Sequence, residues 1–268
     1  MSLFDKTIGI IGAGQLAKML AIEGIRLGLT FKFWADPATS IVGNLGPCYY
    51  THDGSLESFC KSVDVIAIDY EHIPLAEIEV LERFKPYQGH AHLLRRAQDR
   101  LLEKQLLTQL NIPTNDYREI NNLEDVLKAR DALGFPFIIK KRLAGYDGKG
   151  QMVFKSQQDI NALSKGEPLE GRIAETFIEF DQEFSLVSVR GQEGTFASYD
   201  VCKNVHQEGI LVTTQNLPNS EFFKKANEYN QRLAENSAYV GVFAVEYFDY
   251  KNQILVNEIS PRVHNSGH

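Results

Sequence analysis

One segment near the N-terminus constrains the possible fold more than any other: "TIGIIGAGQLAKMLAIEGIRLGL", followed by "TFKFWADP". The pattern indicates a buried strand, a glycine turn, a helix and a second strand. Strands joined in this way lie parallel in a βαβ unit. A third apolar run, "VDVIAIDYEHIP", supplies a further strand. We therefore predict a small open parallel sheet over the first ~95 residues.

The rest of the chain predicts α+β units. Leucines recur at helical spacing in "LLRRAQDRLLEKQLLTQLNIP", and the helix in "NLEDVLKARDALGFP" has Asn122 as its expected N-cap. Strand, glycine loop and strand follow in "FIIKKRLAGYDGKGQMVFK", and Ser156 with Asp159 marks the start of a short helix. Apolar strands and one helix at about 220–239 then predict a largely antiparallel sheet.

Composition disfavours several classes of function. The 268 residues are 43% hydrophobic and 24% charged, as in an ordinary globular protein of one large or two modest domains. A net charge of -7 argues against a nucleic-acid partner. The cysteines Cys48, Cys60 and Cys202 lack C-x-x-C spacing, which indicates neither a disulfide framework nor a zinc site. With no signal peptide and no long apolar run, we expect a soluble cytoplasmic protein without membrane contact.

The glycine turn Gly12-Ala13-Gly14-Gln15-Leu16-Ala17 matches the G-x-G-x-x-G/A pattern of dinucleotide sites. Asp36 stands about where the ribose-binding acid of such a site lies, so the turn taken alone suggests NAD. Two alternatives remain open. The glycines also suit close packing of a strand against a helix, and a phosphate or ribotide could bind at the helix N-terminus.

A basic strand end and a glycine loop come together in "KKRLAGYDGKGQ", residues 140–151. Lys140 follows three apolar residues, and alternation sends Lys140 and Arg142 to one face of the strand. A loop with Gly145, Gly148 and Gly150 can fold over a nucleotide and exclude water. The spacing is not that of a P-loop. A solvated strand end with a flexible hairpin tip is the alternative.

Two acidic residues lie in neighbouring apolar strands: Glu246 in "VFAVEYF" and Glu258 in "ILVNEIS". If residues 251–253 form a three-residue hairpin loop, the two side chains face each other with Cβ atoms ~5 Å apart. Carboxylates so close repel unless one is protonated or a cation lies between them, and oxygen ligands favour magnesium. A two-residue turn would instead put them on opposite faces. An ordinary pair of strand glutamates is the alternative.

The C-terminal "SPRVHNSGH" lacks apolar periodicity and is either an exposed tail or an active-site loop. Its position beside the proposed metal site favours the loop. Arg262 suits a bidentate grip on an anion, and His264 or His268 suits proton transfer near neutral pH.

Several of these motifs together resemble the ATP-grasp superfamily: Lys140, the loop 145–151, Glu175 with Ile178, Glu183, Glu246 and the pair Asn257-Glu258. "GYDGKGQ" with "NEISPRVHNSGH" is similar to one branch, the 5-(carboxyamino)imidazole ribonucleotide synthases of bacterial purine biosynthesis. The resemblance covers essentially the whole chain. It implies a mixed α/β and α+β fold with a Rossmann-like preATP-grasp domain (1–95), a small ATP-grasp lid subdomain (96–173) and a large subdomain (174–268).

The resemblance also implies roles for individual residues. The expected ATP contacts are Arg100, Lys140, Gly145, Tyr146, Asp147, Gly148, Lys149, Gly150, Gln151, Glu175, Thr176, Phe177, Ile178, Glu183, His206, Asn257 and Glu258. The expected magnesium ligands are Glu246 and Glu258. The expected substrate contacts are Gln15, Leu16, Glu71, Tyr146, Arg262, His264, Asn265 and Ser266. Lys140, Arg262, His264 and Asn265 are expected to take part in catalysis.

The reaction that the resemblance implies uses ATP to phosphorylate bicarbonate. The resulting carboxyphosphate carboxylates the exocyclic amine of 5-aminoimidazole ribonucleotide, in an enzyme that is a homodimer. Two alternatives remain open: another ATP-grasp ligase, such as a formate-dependent glycinamide ribonucleotide transformylase or a biotin carboxylase, and a nucleotide-binding protein without turnover.

Three departures from the family pattern stand out. Ala144 replaces the first of two glycines that often begin the loop, and Asp69 stands where a glutamate is usual, so the role of that acid is open. Family members also continue for roughly one further small domain beyond "HNSGH". We expect this chain to lack that C-terminal part.

Overall fold

The computed structural model describes residues 6–50, 54–84, 90–143, 150–163, 167–207, 209–251 and 253–267. Within these ranges the chain forms three sheets in succession, with four, four and six strands. None of the described helices has both the length and the apolar character needed to span a bilayer.

The first sheet is parallel, as predicted. Its strands lie in the order β3-β2-β1-β4. The elements of this part are β1 (Thr7–Ile11), α1 (Gln15–Arg26), β2 (Thr30–Trp34), β3 (Cys48–Tyr49), α2 (Leu56–Lys61), β4 (Val65–Ile68) and α3 (Leu75–Leu81). A Cβ atom on Gly24 would lie 2.3 Å from the Phe31 ring, so glycine lets α1 approach the strands closely. The buried side chains of Ile10, Phe33 and Ile66 form the centre of this sheet.

The leucine-rich segment that follows forms two helices rather than one, α4 (His90–Ala97) and α5 (Arg100–Gln109). The break lies at Asp99, whose carboxylate accepts a hydrogen bond from the N–H of Leu101 at 2.9 Å and caps α5. The guanidinium of Arg142 donates two further hydrogen bonds to Asp99, at 3.0 and 2.7 Å. The cap therefore also ties α5 to the chain just beyond the basic strand end.

The second sheet is antiparallel, with strand order β5-β8-β6-β7. Its elements are β5 (Tyr117–Ile120), α6 (Leu123–Leu133), β6 (Phe137–Lys141), β7 (Met152–Phe154), α7 (Gln157–Asn161) and β8 (Arg172–Thr176). Asn122 caps α6 and Ser156 with Asp159 forms a capping box on α7, as the sequence predicted. One face of the sheet packs its apolar side chains into a core. Alternation places Lys140 and Glu175 on the other face.

The third sheet is antiparallel, as predicted, with strand order β12-β11-β9-β13-β14 and β10 paired to β9. Its elements are β9 (Gln182–Arg190), β10 (Phe196–Ser198), β11 (Val201–Gln207), β12 (Ile210–Leu217), α8 (Phe223–Asn236), β13 (Gly241–Tyr250) and β14 (Gln253–Ser260). Phe184, Phe243 and Tyr247 lie on one face and pack in a core with residues of α8. The opposite face is polar.

The hairpin between β13 and β14 corrects one prediction and confirms another. Tyr250 pairs with Gln253, so the loop has two residues, not three, and Lys251 takes the left-handed conformation at φ 51°. A two-residue loop alone would separate the two glutamates. A β-bulge in β14 restores the register, because Glu246 pairs with Glu258 while Tyr247 pairs with Val256, which leaves Asn257 as the extra residue. The two glutamates therefore do face each other, for a reason that the sequence did not show.

Candidate active site

The polar face of the third sheet is the centre of the candidate site. The paired strands β9, β11 and β13 send every second side chain to this face. Glu183 and Ser185 come from β9, His206 from β11 and Glu246 from β13. The intervening residues, such as Phe184, pack into the core. Strand alternation therefore gathers ionisable groups on a rigid surface.

Three of these side chains form a tight cluster. A carboxylate oxygen of Glu183, a carboxylate oxygen of Glu246 and a ring nitrogen of His206 all lie within 4.8 Å of one another. His206 Nδ1 lies 2.8 Å from Glu183 Oε2, and this carboxylate raises the pKa of the imidazole above its usual value. The structure thus brings two expected ATP contacts next to an expected metal ligand.

The carboxylate of Glu258, opposite Glu246, contacts a guanidinium. Its Oε2 atom lies 3.3 Å from Arg100 Nη1, in the first turn of α5. Burial alone would lower the pKa of Arg100, but the carboxylates of Glu258, Glu103 and Glu175 together outweigh burial and raise that pKa. A guanidinium beside two carboxylates suits a ligand that has both a cation and a phosphate.

Lys140 and Glu175 form a buried ion pair on the face of the second sheet opposite its core. Lys140 Nζ lies 2.9 Å from Glu175 Oε2, and these side chains are 15% and 1% exposed. Asn115 Nδ2 donates a second hydrogen bond to the same oxygen at 2.8 Å. Burial alone would raise the pKa of Glu175, but Lys140 and Lys104 hold it well below its usual range. The ammonium of Lys140 is therefore fixed in place at the end of β6.

Two charged residues of α5, Glu103 and Lys104, are each 1% exposed and were not predicted from the sequence. Burial raises the pKa of Glu103 to about 8 and lowers that of Lys104. The spacing of these two residues from leucines of the same helix was a signal for their burial. Glu103 stands four residues before Leu107 and Lys104 three residues after Leu101, and both leucines are buried. Both charged residues hydrogen-bond to β14.

Arg262 links the loop after β14 to the first sheet. Its Nε and Nη2 atoms donate to the two carboxylate oxygens of Glu71, the second at 3.2 Å, and Nη1 donates to the carbonyl of Val263 at 2.9 Å. Burial alone would raise the pKa of Glu71, but the Arg262 guanidinium outweighs burial and lowers it. The structure therefore pairs two residues expected to bind substrate.

A chain of buried hydrogen bonds orients His264. Asn204 Nδ2 donates to Ser185 Oγ at 3.0 Å, and Ser185 Oγ donates to Ser266 Oγ at 2.6 Å. The Ser266 hydroxyl, 2.9 Å from His264 Nδ1, then has its proton free for that nitrogen, which also accepts from the Ser266 N–H at 3.3 Å. In this arrangement Nε2 has the imidazole proton and lies 3.4 Å from Glu246 Oε1. Ser266 thus orients the imidazole ring of His264.

The glycine turn after β1 is closed by a carboxylate. Asp69 Oδ2 accepts a hydrogen bond from the N–H of Gly14 at 2.8 Å, where α1 begins. A Cβ atom on Gly12 would lie 1.6 Å from Asp69 Oδ1, which explains the glycine. Burial raises the pKa of Asp69. Because a dinucleotide places its pyrophosphate at this helix end, the geometry disfavours the NAD alternative and supports the close-packing one.

The two expected ribotide contacts on α1 differ in their surroundings. Gln15 begins the helix and is exposed. Leu16 is half-buried and lines a cavity of ≈ 620 Å³ together with Val263 and His264. Asp36, the expected ribose acid, accepts a hydrogen bond from the N–H of Ala38 at 2.9 Å. Leu16, but not Gln15, therefore lines the same cavity as His264.

The remaining predicted residues differ in their exposure, and some of them lie outside the described residues. Five residues of the glycine loop, Gly145, Tyr146, Asp147, Gly148 and Lys149, lie outside the described residues, as does His268. Gly150, Gln151, Phe177 and Asn265 are exposed, whereas Thr176, Ile178 and Asn257 are half-buried. Residues 177–181 connect β8 to β9 and thus join the second sheet to the third.

The donor set fits a hard divalent cation. Glu183, Glu246 and Glu258 present carboxylates on or beside one face, and oxygen ligands of this kind suit magnesium. Magnesium in nucleotide sites is commonly held by one or two carboxylates together with phosphate oxygens. Arg100 and Lys140 lie nearby as cationic partners for such phosphates, through their contacts with Glu258 and Glu175.

The fold and this charged site together define the class of protein: an ATP-grasp enzyme with a preATP-grasp domain in front. The ATP-grasp domain family matches residues 105–268, and the ribonucleotide synthetase preATP-grasp domain family matches residues 5–98. The predicted fold class is confirmed.

Within that class, the chain belongs to the N5-carboxyaminoimidazole ribonucleotide synthase family of ligases. The Pseudomonas aeruginosa synthase is 35% identical over 264 residues, which cover 97% of this chain and 73% of that protein. The Thermus thermophilus synthetase structure matches with a TM-score of 0.88 at 35% identity, covering 97% and 72% of the two chains. An Aspergillus clavatus synthase solved with ADP and 5-aminoimidazole ribonucleotide matches with a TM-score of 0.80 at 25% identity, covering 99% and 72%.

Proposed function

We propose that this chain carboxylates 5-aminoimidazole ribonucleotide with bicarbonate at the expense of ATP. The products are N5-carboxyaminoimidazole ribonucleotide, ADP and phosphate, and the reaction serves purine biosynthesis. Family membership over 97% of the chain supports this substrate set, since the similar proteins are named for that product and one was solved with ADP and the ribonucleotide.

The chemistry needs two group transfers. Bicarbonate is a poor electrophile, and accepting the γ-phosphoryl group of ATP gives it a leaving group. The exocyclic amine then forms a bond to the carboxyl carbon, the bond from that carbon to the phosphate oxygen breaks, and the amine loses a proton. Because carboxyphosphate hydrolyses in water, we assign to the glycine loop 145–151 the role of a lid that excludes water.

The phosphate end of the site is assigned to residues of three elements. Lys140 at the end of β6 and Arg100 at the start of α5 would bind the phosphates, with Lys140 held in place by Glu175. Glu246 and Glu258 would hold magnesium. When bound, magnesium offsets the charge that develops on the transferred phosphoryl group.

The acceptor end is assigned to the loop after β14. Arg262, held by Glu71, would bind bicarbonate through the remaining N–H groups of Nη1 and Nη2, and His264 would offer its Nε2 proton to an oxygen of the acceptor complex. Asn265, exposed beside them, would contact the same substrates. Leu16 lines the cavity next to His264, which supports a ribotide near the start of α1.

One observation supports the proposal most directly: the bulge in β14 sets Glu258 opposite Glu246. Glu258 contacts Arg100 on the phosphate side, and Glu246 lies next to His264 on the acceptor side. The test is release of ADP coupled to transfer of label from ¹³C-bicarbonate into the ribonucleotide. We expect ADP release to depend on both bicarbonate and 5-aminoimidazole ribonucleotide. Dependence on formate instead, or nucleotide binding without ADP release, would reject it in favour of the two alternatives.

The family resemblance also supports a homodimer in the cytoplasm, which we include in the proposal. Light scattering after size-exclusion chromatography measures the mass directly. A monomeric mass at every protein concentration would contradict the dimer.

A further inference from the structure

The bulged strand β14 is an edge strand, and α5 covers it. β14 pairs only with β13 in the sheet order, so its outer edge has backbone groups without strand partners among the described residues. The N–H of Val256 donates to the carbonyl of Pro113 at 2.8 Å. The N–H of Ile259 donates to Glu103 Oε1 at 2.7 Å. A side chain and a loop carbonyl thus form hydrogen bonds that a neighbouring strand would otherwise provide.

The ammonium of Lys104 makes a contact that depends on the bulge. Its Nζ atom donates to the carbonyl of Asn257 at 3.0 Å and to the carbonyl of Val256 at 3.3 Å. In a regular strand, the carbonyls of consecutive residues point to opposite edges. One donor can therefore bind both only where the strand is bulged. Thr114 Oγ1 also donates a hydrogen bond to the Val256 carbonyl, at 2.8 Å.

We propose that Glu103 and Lys104 are positioning residues that hold the β14 bulge and so keep Glu258 on the polar face opposite Glu246. Lys104 binds the two carbonyls at the bulge, and Glu103 binds the N–H on its other side. Without the bulge, the two-residue hairpin loop would place Glu258 on the core face. The inference rests on the proposed function in one respect, that Glu258 binds the metal.

The expected effect follows from what such supporting contacts contribute elsewhere. Loss of a side chain that orients a metal ligand commonly weakens metal affinity about 10- to 100-fold. Glu103→Gln keeps a carbonyl oxygen for the N–H of Ile259, whereas Glu103→Met removes it. Lys104→Met keeps an unbranched apolar side chain one atom shorter and removes the donor. Leu107→Ala on the same helix removes buried volume but no hydrogen bond to β14, and serves as the control for general destabilisation.

The first measurement needs no metal. Amide hydrogen exchange of Ile259, followed by NMR or by mass spectrometry of peptides from β14, reports the contact with Glu103. We expect at least tenfold faster exchange in Glu103→Met and near-wild-type exchange in Glu103→Gln. Equal exchange in these two variants would overturn the proposal.

The second measurement is binding of Mn²⁺ in the presence of ADP, read by electron paramagnetic resonance of the free ion. We expect dissociation constants raised about 10- to 100-fold in Lys104→Met and Glu103→Met, and within about threefold of wild type in Glu103→Gln and Leu107→Ala. Equal weakening in Leu107→Ala would mean general destabilisation and would refute the positioning role. If wild type binds no Mn²⁺ with ADP, the metal assignment fails, and hydrogen exchange alone then decides the role of Glu103. Should Lys104→Met not fold, the double variant with Glu103→Met removes both buried charges and is measured instead.

Discussion

Replacement of Glu175 by glutamine should destabilise the protein strongly. The change removes a carboxylate that is 1% exposed and leaves Lys140, 15% exposed, without its charged partner. Breaking a buried ion pair from one side costs about 3–5 kcal/mol. That range corresponds to roughly a 150- to 5,000-fold rise in the unfolding equilibrium constant. Adding Lys140→Met should recover part of the loss, with a coupling energy of about 0.5–3 kcal/mol.

The assay is urea unfolding followed by circular dichroism, at several pH values. Because the pKa of Glu175 is held well below its usual range, its contribution is complete above the unfolded-state pKa of about 4.3 and is lost as pH falls below it. The difference between wild type and Glu175→Gln should therefore stay constant from pH 7 to about pH 5 and be about 1 kcal/mol smaller at pH 3.5. A loss below about 1 kcal/mol at pH 7, or one that does not change with pH, would refute this reasoning.

Three further outcomes test other parts of the site. Glu258→Gln should abolish magnesium-dependent ADP release across a magnesium titration, and near-normal turnover would remove the metal assignment. Lys140→Met should raise the dissociation constant of ADP about 10- to 100-fold by calorimetry, because a charge-assisted hydrogen bond is lost, whereas unchanged affinity would mean that its role is wrong. Gly12→Ala, at φ +115° and with its Cβ atom 1.6 Å from Asp69 Oδ1, should lower the melting temperature by about 4 °C or more, and an unchanged melting curve would contradict the close approach.

Most strands were predictable because each had a long apolar or alternating run. The strand Tyr117–Ile120 was missed, since its central residues Arg118 and Glu119 are both exposed and the segment shows no apolar pattern. The break at Asp99 was missed for a related reason. Leucine spacing continues across it, whereas the cap that separates α4 from α5 is a single hydrogen bond.

The sequence named several residues that the structure brings together, such as Glu183, His206 and Glu246, but not the contacts that they make. Family motifs identified Glu71 and Arg262 separately, but no local pattern joins residues 191 positions apart. The facing of Glu246 and Glu258 was predicted through a loop length that proved wrong. A bulge depends on groups outside its own strand, here on Lys104, and strand periodicity holds no information about them.

The carboxylate that Asp69 places at the start of α1 has a consequence for substrate recognition. The turn needs no ligand to complete its hydrogen bonding at Gly14, because the Asp69 carboxylate already accepts the hydrogen bond of that N–H group. A phosphate could therefore use the Gly14 amide only by displacing the Asp69 carboxylate from it, in contrast to the dinucleotide enzymes, where the backbone amides at this helix end bind the pyrophosphate.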